Sequence, residues 1–174
     1  MDPIDQLKNE IVRSGLHTAA QTDDRFVHGA ARIRAVGIDI MANVDPELDD
    51  RSDLDSAVLL TAIERLLAIT PAQWQLIIDS IAQEIEEAVG NQSLEETTDL
   101  RDDLTLSSTV VFHDAFLLSF AAPKQFPDSW IRAQLDEDLV VVDVVVDDND
   151  DAIEVVEFES YDDLLNHLSA AKNH

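Results

Sequence analysis

The sequence predicts an α+β fold: a helical N-terminal half beside a small antiparallel β-meander, closed by a C-terminal helix. Three observations predict it. Apolar residues recur at helical spacing over much of the chain up to Val89. From Thr109 onward they alternate in short runs separated by turn-forming residues. Helical spacing then returns after Ser160, where Asp162 and Asp163 occupy the first turn and Leu164, Leu165 and Leu168 form the apolar side.

Taken in order, Pro3 stands where a first helical residue is tolerated, Ile4, Leu7 and Ile11 share a face, and Gly15 marks a stop. Thr22 reads as the N-cap of a second helix carrying Phe26, Ala30, Ile33 and Gly37 on one side. Val36, Ile38 and Ile40 alternate as a strand would, so this segment supports both readings. Asn43 to Asp50, with Pro46 and four acids, reads as a loop. Ser52 and Asp55 form a weak capping pair ahead of a helix through Leu54, Ala57, Val58, Ile63 and Leu66. Thr70, Pro71 and Gln73 then supply N-cap, N1 and N3 of a full capping box. Trp74, Ile77, Ile78, Ile81, Ile85, Ala88 and Val89 follow as one apolar stripe. Residues 52–90 are therefore expected to be a helical hairpin, and 1–91 a helical region. Residues 92–107 read as an acidic linker and 108–174 as the meander with its final helix, whether as two units or one compact body.

Within that second part, Val110, Phe112, Phe116, Leu118 and Phe120 share one parity, broken by Asp114, which signals a turn or bulge there. Pro123 to Asp128 is a turn and Trp130 to Leu135 a strand. Leu139 to Val146 is a strand whose even positions, Val140 to Val146, are all valine. A face that apolar needs cover, which the closing helix is expected to give. Ile153 to Phe158 reads as the last strand.

Charge limits the function classes. The chain holds 37 acids against 11 bases, and 31 of the acids fall in residues 43–174. Between Arg132 and Lys172 there is no base. Such a surface repels nucleic-acid backbones and anionic membranes and attracts cations and basic proteins. The longest apolar runs fall far short of the roughly 20 residues a bilayer span needs. With no basic start at the N-terminus, a cytoplasmic location is expected. Absence of Cys removes disulfides, thiolate zinc sites and a thiol nucleophile. Solubility and adaptation to salt account for acidity without any partner, and the excess of Asp over Glu with only three Lys fits the second.

No motif specifies a catalyst, a cofactor or a metal. Asp147, Asn149 and Asp151 imitate the start of a calcium loop, but Ala152 replaces the turn Gly and Phe158 the bidentate Glu. The histidines, His17, His28, His113, His167 and His174, form no helical metal pair. His113-Asp114 reads as a turn dipeptide, with a general-base role the lesser alternative. Asp114 and Asp143 draw interest because each interrupts a strand pattern. Trp74 reads as core, whereas Trp130 and Phe126 read as half-exposed aromatics suited to an interface.

The expected function is therefore that of a non-enzymatic protein acting by protein–protein interaction. Arg25, Arg32 and Arg34 are available to dock on acidic segments of the same chain or of a second copy. One alternative is a nucleic-acid mimic that fills a basic groove with Asp79, Glu84, Glu86 and Glu87 of the Pro71–Val89 helix and the base-free stretch from Asp136 to Asp163. Another is a metal-dependent enzyme hidden among the carboxylates.

Overall fold

The computed structural model describes residues 2–51, 53–89 and 99–148. The described residues form four helices and one seven-stranded mixed sheet. The first helix, α1 (Pro3–Ser14), starts where the Asp2 carboxylate accepts from the Ile4 amide at 2.9 Å and ends at Gly15. It buries Ile4, Leu7 and Ile11, the side its spacing predicts.

The next segment departs from expectation. Residues 18–44 hold no helix but three strands, β1 (Thr18–Thr22), β2 (Val27–Ile33) and β3 (Ile38–Val44). Thr22 ends β1 rather than capping a helix. The helical spacing of Phe26, Ala30, Ile33 and Gly37 competes with an alternation that buries Val27 and Ile33 in β2 and Ile40, Ala42 and Val44 in β3. Alternation wins because β2 and β3 pair along their full length, Val27 with Val44 through Ile33 with Ile38. Glycine supports this outcome at two points. Gly37 takes a φ of 67° in the β2–β3 turn. At Gly29 a Cβ would lie 3.1 Å from the Thr18 carbonyl oxygen, so a larger residue would crowd β1 by a few tenths of an ångström.

Helix α2 (Ser56–Leu67) is capped by Asp55, whose carboxylate accepts from the Val58 amide at 3.2 Å. Helix α3 (Pro71–Val89) begins with both bonds of the expected capping box: Thr70 N–H to Gln73 Oε1 at 2.9 Å and Gln73 N–H to Thr70 Oγ1 at 3.2 Å. A short helix, α4 (Leu100–Asp103), and the start of β4 (Thr105–Val111) lie within the stretch read as linker. The remaining strands are β5 (Ala115–Ala122), β6 (Phe126–Asp136) and β7 (Val141–Asp148). The break between β4 and β5 falls at Asp114, as the interrupted parity predicts.

Strands β1 to β7 lie side by side in chain order. All neighbours are antiparallel except β3 and β4, which are parallel. A parallel pair needs a crossover, and α2 and α3 supply it. The sheet is thus two meanders joined edge to edge; β4 to β7 are antiparallel in the region where the sequence predicts a meander, with the run from Thr109 to Ala121 divided between β4 and β5. α1 packs on β1, β2 and α2, while α2 packs on β2 and β4 and α3 on β7 and α4. Their apolar sides share one core with Phe116, Leu118 and Phe120 of β5 and Ile131, Ala133 and Leu135 of β6. Trp74 of α3 stacks on Phe120 with ring centroids 6.1 Å apart. Phe112, Ala115, Leu117 and Val145 form a second, smaller buried cluster.

The valine strand also differs from expectation. Val140, Val142 and Val146 are 56%, 50% and 39% exposed, while Val141 and Val144 reach the main core. The register explains why Val141 and Val144 share the core side; Val146, opposite Ile131, lies on that same side yet is partly exposed. Gln134 pairs with Asp143 but Leu135 pairs with Val141, so one extra residue sits in β7 and reverses the parity beyond it. The strand predicted over 153–158 and the helix after Ser160 lie outside the described residues.

Candidate functional site

A buried charged pair joins the loop after β3 to the turn between β4 and β5. Pro46 ends extended pairing, and Glu47 follows with a φ of 54°, a left-handed conformation that a non-glycine residue adopts at a cost of about 1–2 kcal/mol. Its carbonyl accepts from the amides of Asp50 and Arg51, which closes a tight turn. The turn directs the side chain inward, where Glu47 is only 5% exposed. There Oε2 accepts from the His113 ring Nδ1 at 2.8 Å, from the His113 amide at 3.3 Å and from Arg51 Nε at 3.2 Å. Burial by itself would raise the Glu47 carboxyl. The hydrogen bonds from His113 and the positive charge of Arg51 outweigh it and hold the carboxyl below its ordinary value.

Two residues earlier, the Asp45 carboxylate accepts from the Glu47 amide at 2.8 Å. Burial, reinforced by the neighbouring charge of Glu47, pushes the Asp45 carboxyl up to about 6 despite that bond. Arg25 stands 3.6 Å from Asp49 in the same loop, so one of the three N-terminal arginines does dock on an acidic segment of its own chain. Arg32 pairs with Asp39 at 2.7 Å across β2 and β3.

His113 carries the chemistry of the pair. A carboxylate at 2.8 Å from Nδ1 requires the proton on Nδ1. The opposite nitrogen, Nε2, is buried and without a partner. The ring forms part of the wall of a cavity of about 300 Å³ between α2 and the β4–β5 turn. Val58 and Ala62 of α2 and Phe116 of β5 give it apolar walls. Arg65, Asp114 and Glu137 stand at its polar side. The Arg65 guanidinium donates to the Glu137 carbonyl oxygen at 3.1 Å, and it meets no carboxylate among the described residues.

The other residues singled out by sequence are dispersed. Asp114 is exposed at the cavity mouth and does not touch His113; the imidazole's partner is Glu47, 66 residues away. Asp143 is half-buried opposite Gln134. Asp147 lies in β7, 3.0 Å from Arg132, and Asn149 and Asp151 fall outside the described residues. Trp130 is half-buried on β6, and Phe126 packs against the main core. On α3 the acidic stripe is interrupted: Arg101 reaches Asp79 at 3.0 Å and Glu86 at 2.7 Å. His17, buried near Gly29, is held below its ordinary value by desolvation, and its Nε2 lies 3.3 Å from the Ala42 carbonyl oxygen. Among the described residues no three His, Asp or Glu side chains converge to hold a metal, and no helix is long and apolar enough to cross a membrane.

Sequence reasoning reached His113 and missed Glu47. Only its position directly after Pro46, in a loop with three other acids, could have drawn notice, and that loop looks solvated. The chain matches no protein-family model, no curated protein and no solved structure.

Proposed function

We propose that this protein is non-enzymatic and acts by contact with a partner protein that presents a basic, partly apolar segment to the β7 end of the sheet. One observation carries the reading: Val140, Val142 and Val146 are exposed within a stretch, Asp136 to Asp148, that holds six acids and no base. Exposed apolar area rimmed by charge of one sign suits an interface whose centre is apolar and whose rim is complementary. Nucleic-acid mimicry would use the α3 carboxylates as a regular stripe, and Arg101 interrupts that stripe.

The test is capture from native lysate on immobilised protein, eluted by a salt step, with a Val142→Ser/Val146→Ser variant alongside. A dominant basic partner that the double variant loses supports the proposal. Recovery of the same proteins by both forms, in proportion to their abundance, refutes it. Competition by DNA for the captured partner would favour mimicry instead.

A further inference from the structure

We propose that the cavity beside His113 is a binding site for a small zwitterion with an apolar side chain, an amino-acid-like ligand. The site shares Glu137 with the acidic stretch of the β7 surface but does not depend on its exposed valines. Its central group is His113. The Glu47 carboxylate fixes the proton on Nδ1, so in the neutral ring Nε2 is a hydrogen-bond acceptor. That nitrogen is buried and unpartnered, and the ring lines an open cavity. A buried polar atom without a partner is costly, so the site favours a ligand that donates an N–H or O–H there. Glu47 and the left-handed turn that aims it hold the imidazole in place before any ligand arrives.

Charge selects the donor. The chain carries a formal net charge of −26, which disfavours a ligand of net negative charge. Asp114 and Glu137 at the cavity favour a cationic donor, an ammonium, beside Nε2. Arg65, free of carboxylates among the described residues, supplies the fork that a ligand carboxylate matches. A ligand with both poles is neutral overall and satisfies both ends. Val58, Ala62 and Phe116 leave an apolar wall for its side chain, and about 300 Å³ is the lower end of the range for small-molecule sites.

The experiment uses the full chain and L-leucine as probe, followed by the ¹⁵N and ¹H resonances of the His113 imidazole. 4-Methylpentanoate, which lacks the ammonium, and 3-methylbutylamine, which lacks the carboxylate, are single-pole controls. Leucine is expected to give a saturable shift at His113, with each control weaker by about tenfold or more. Arg65→Gln should weaken leucine by a similar factor, and Val58→Trp should abolish the shift by filling the cavity. Arg65 and Val58 are exposed helix positions, so these variants decide the matter even if His113→Gln fails to fold. Absence of a saturable shift at millimolar leucine overturns the proposal. So does equal binding of all three probes, or leucine binding unchanged in Arg65→Gln and Val58→Trp.

Discussion

Strand β5 is held at both ends by a buried carboxylate from outside the strand, and the two holds differ in kind. At its end, Asp103 of α4 accepts from the amides of Lys124 at 2.9 Å and Gln125 at 2.9 Å and so pins the β5–β6 turn. At its start, Glu47 accepts from the ring and the amide of His113 and so pins the β4–β5 turn. Both carboxylates are 5% exposed. Asp103 is satisfied by the backbone, which any sequence at positions 124 and 125 other than proline would supply. Glu47 depends on two particular side chains, His113 and Arg51, and leaves one buried nitrogen without a partner in a ring that lines a cavity. A backbone latch is complete in itself. A side-chain pair with an unused atom has capacity left for a ligand.

Substitutions at three positions break or sharpen this comparison. The largest effect is expected at the side-chain pair. Glu47→Ala strands His113 and Arg51 beside an empty site and should lower unfolding stability by about 3 kcal/mol, read by denaturant titration. The charge carries a pH signature as well. The folded Glu47 carboxyl lies below its ordinary value of 4.5, so its stabilisation is fully present above the unfolded value and lost as pH falls through the folded one. Glu47→Gln should therefore flatten part of the acid limb of the stability curve.

A smaller loss, about 2 kcal/mol, is expected for Asp103→Ala, because the turn amides it strands lie closer to water. Asp103→Asn retains one acceptor and should cost about half as much. If Asp103→Ala proves the costlier of the two alanine variants, the backbone latch is the stronger hold and the comparison is reversed.

The smallest effect has the opposite sign. Asp45, with its carboxyl raised to about 6 from 3.8, binds its proton more tightly when folded. Its contribution is fully present at low pH and is lost as pH rises through about 6. Asp45→Asn keeps the oxygen that accepts from Glu47 and removes the buried charge. It should stabilise the protein at pH 7, with the gain vanishing below about pH 4. An unchanged stability at pH 7 would mean that the Asp45 charge is already solvated and that Glu47 lies in a less dry loop than its exposure suggests.

Local chemistry was legible where one segment carried the whole signal. The Thr70–Gln73 capping box, the Ile4–Leu7–Ile11 face and the broken parity at Asp114 each needed only neighbours in sequence, and each is present. The failures share a cause. Residues 18–44 support two periodicities, and the choice between them rests on pairing that neither strand contains alone. The valine parity of β7 was misread because the extra residue that reverses it is defined only against β6.

The sequence by itself determined the acidity, the mixed α+β composition and the Thr70–Gln73 cap, because charge and local backbone preference are properties of short segments. Tertiary structure alone decided that two meanders join through a parallel β3–β4 pair, which face each valine takes, and that Glu47 meets His113. Those outcomes depend on contacts between residues dozens of positions apart. Their free energy comes from burial and hydrogen bonds that exist only once the sheet has assembled.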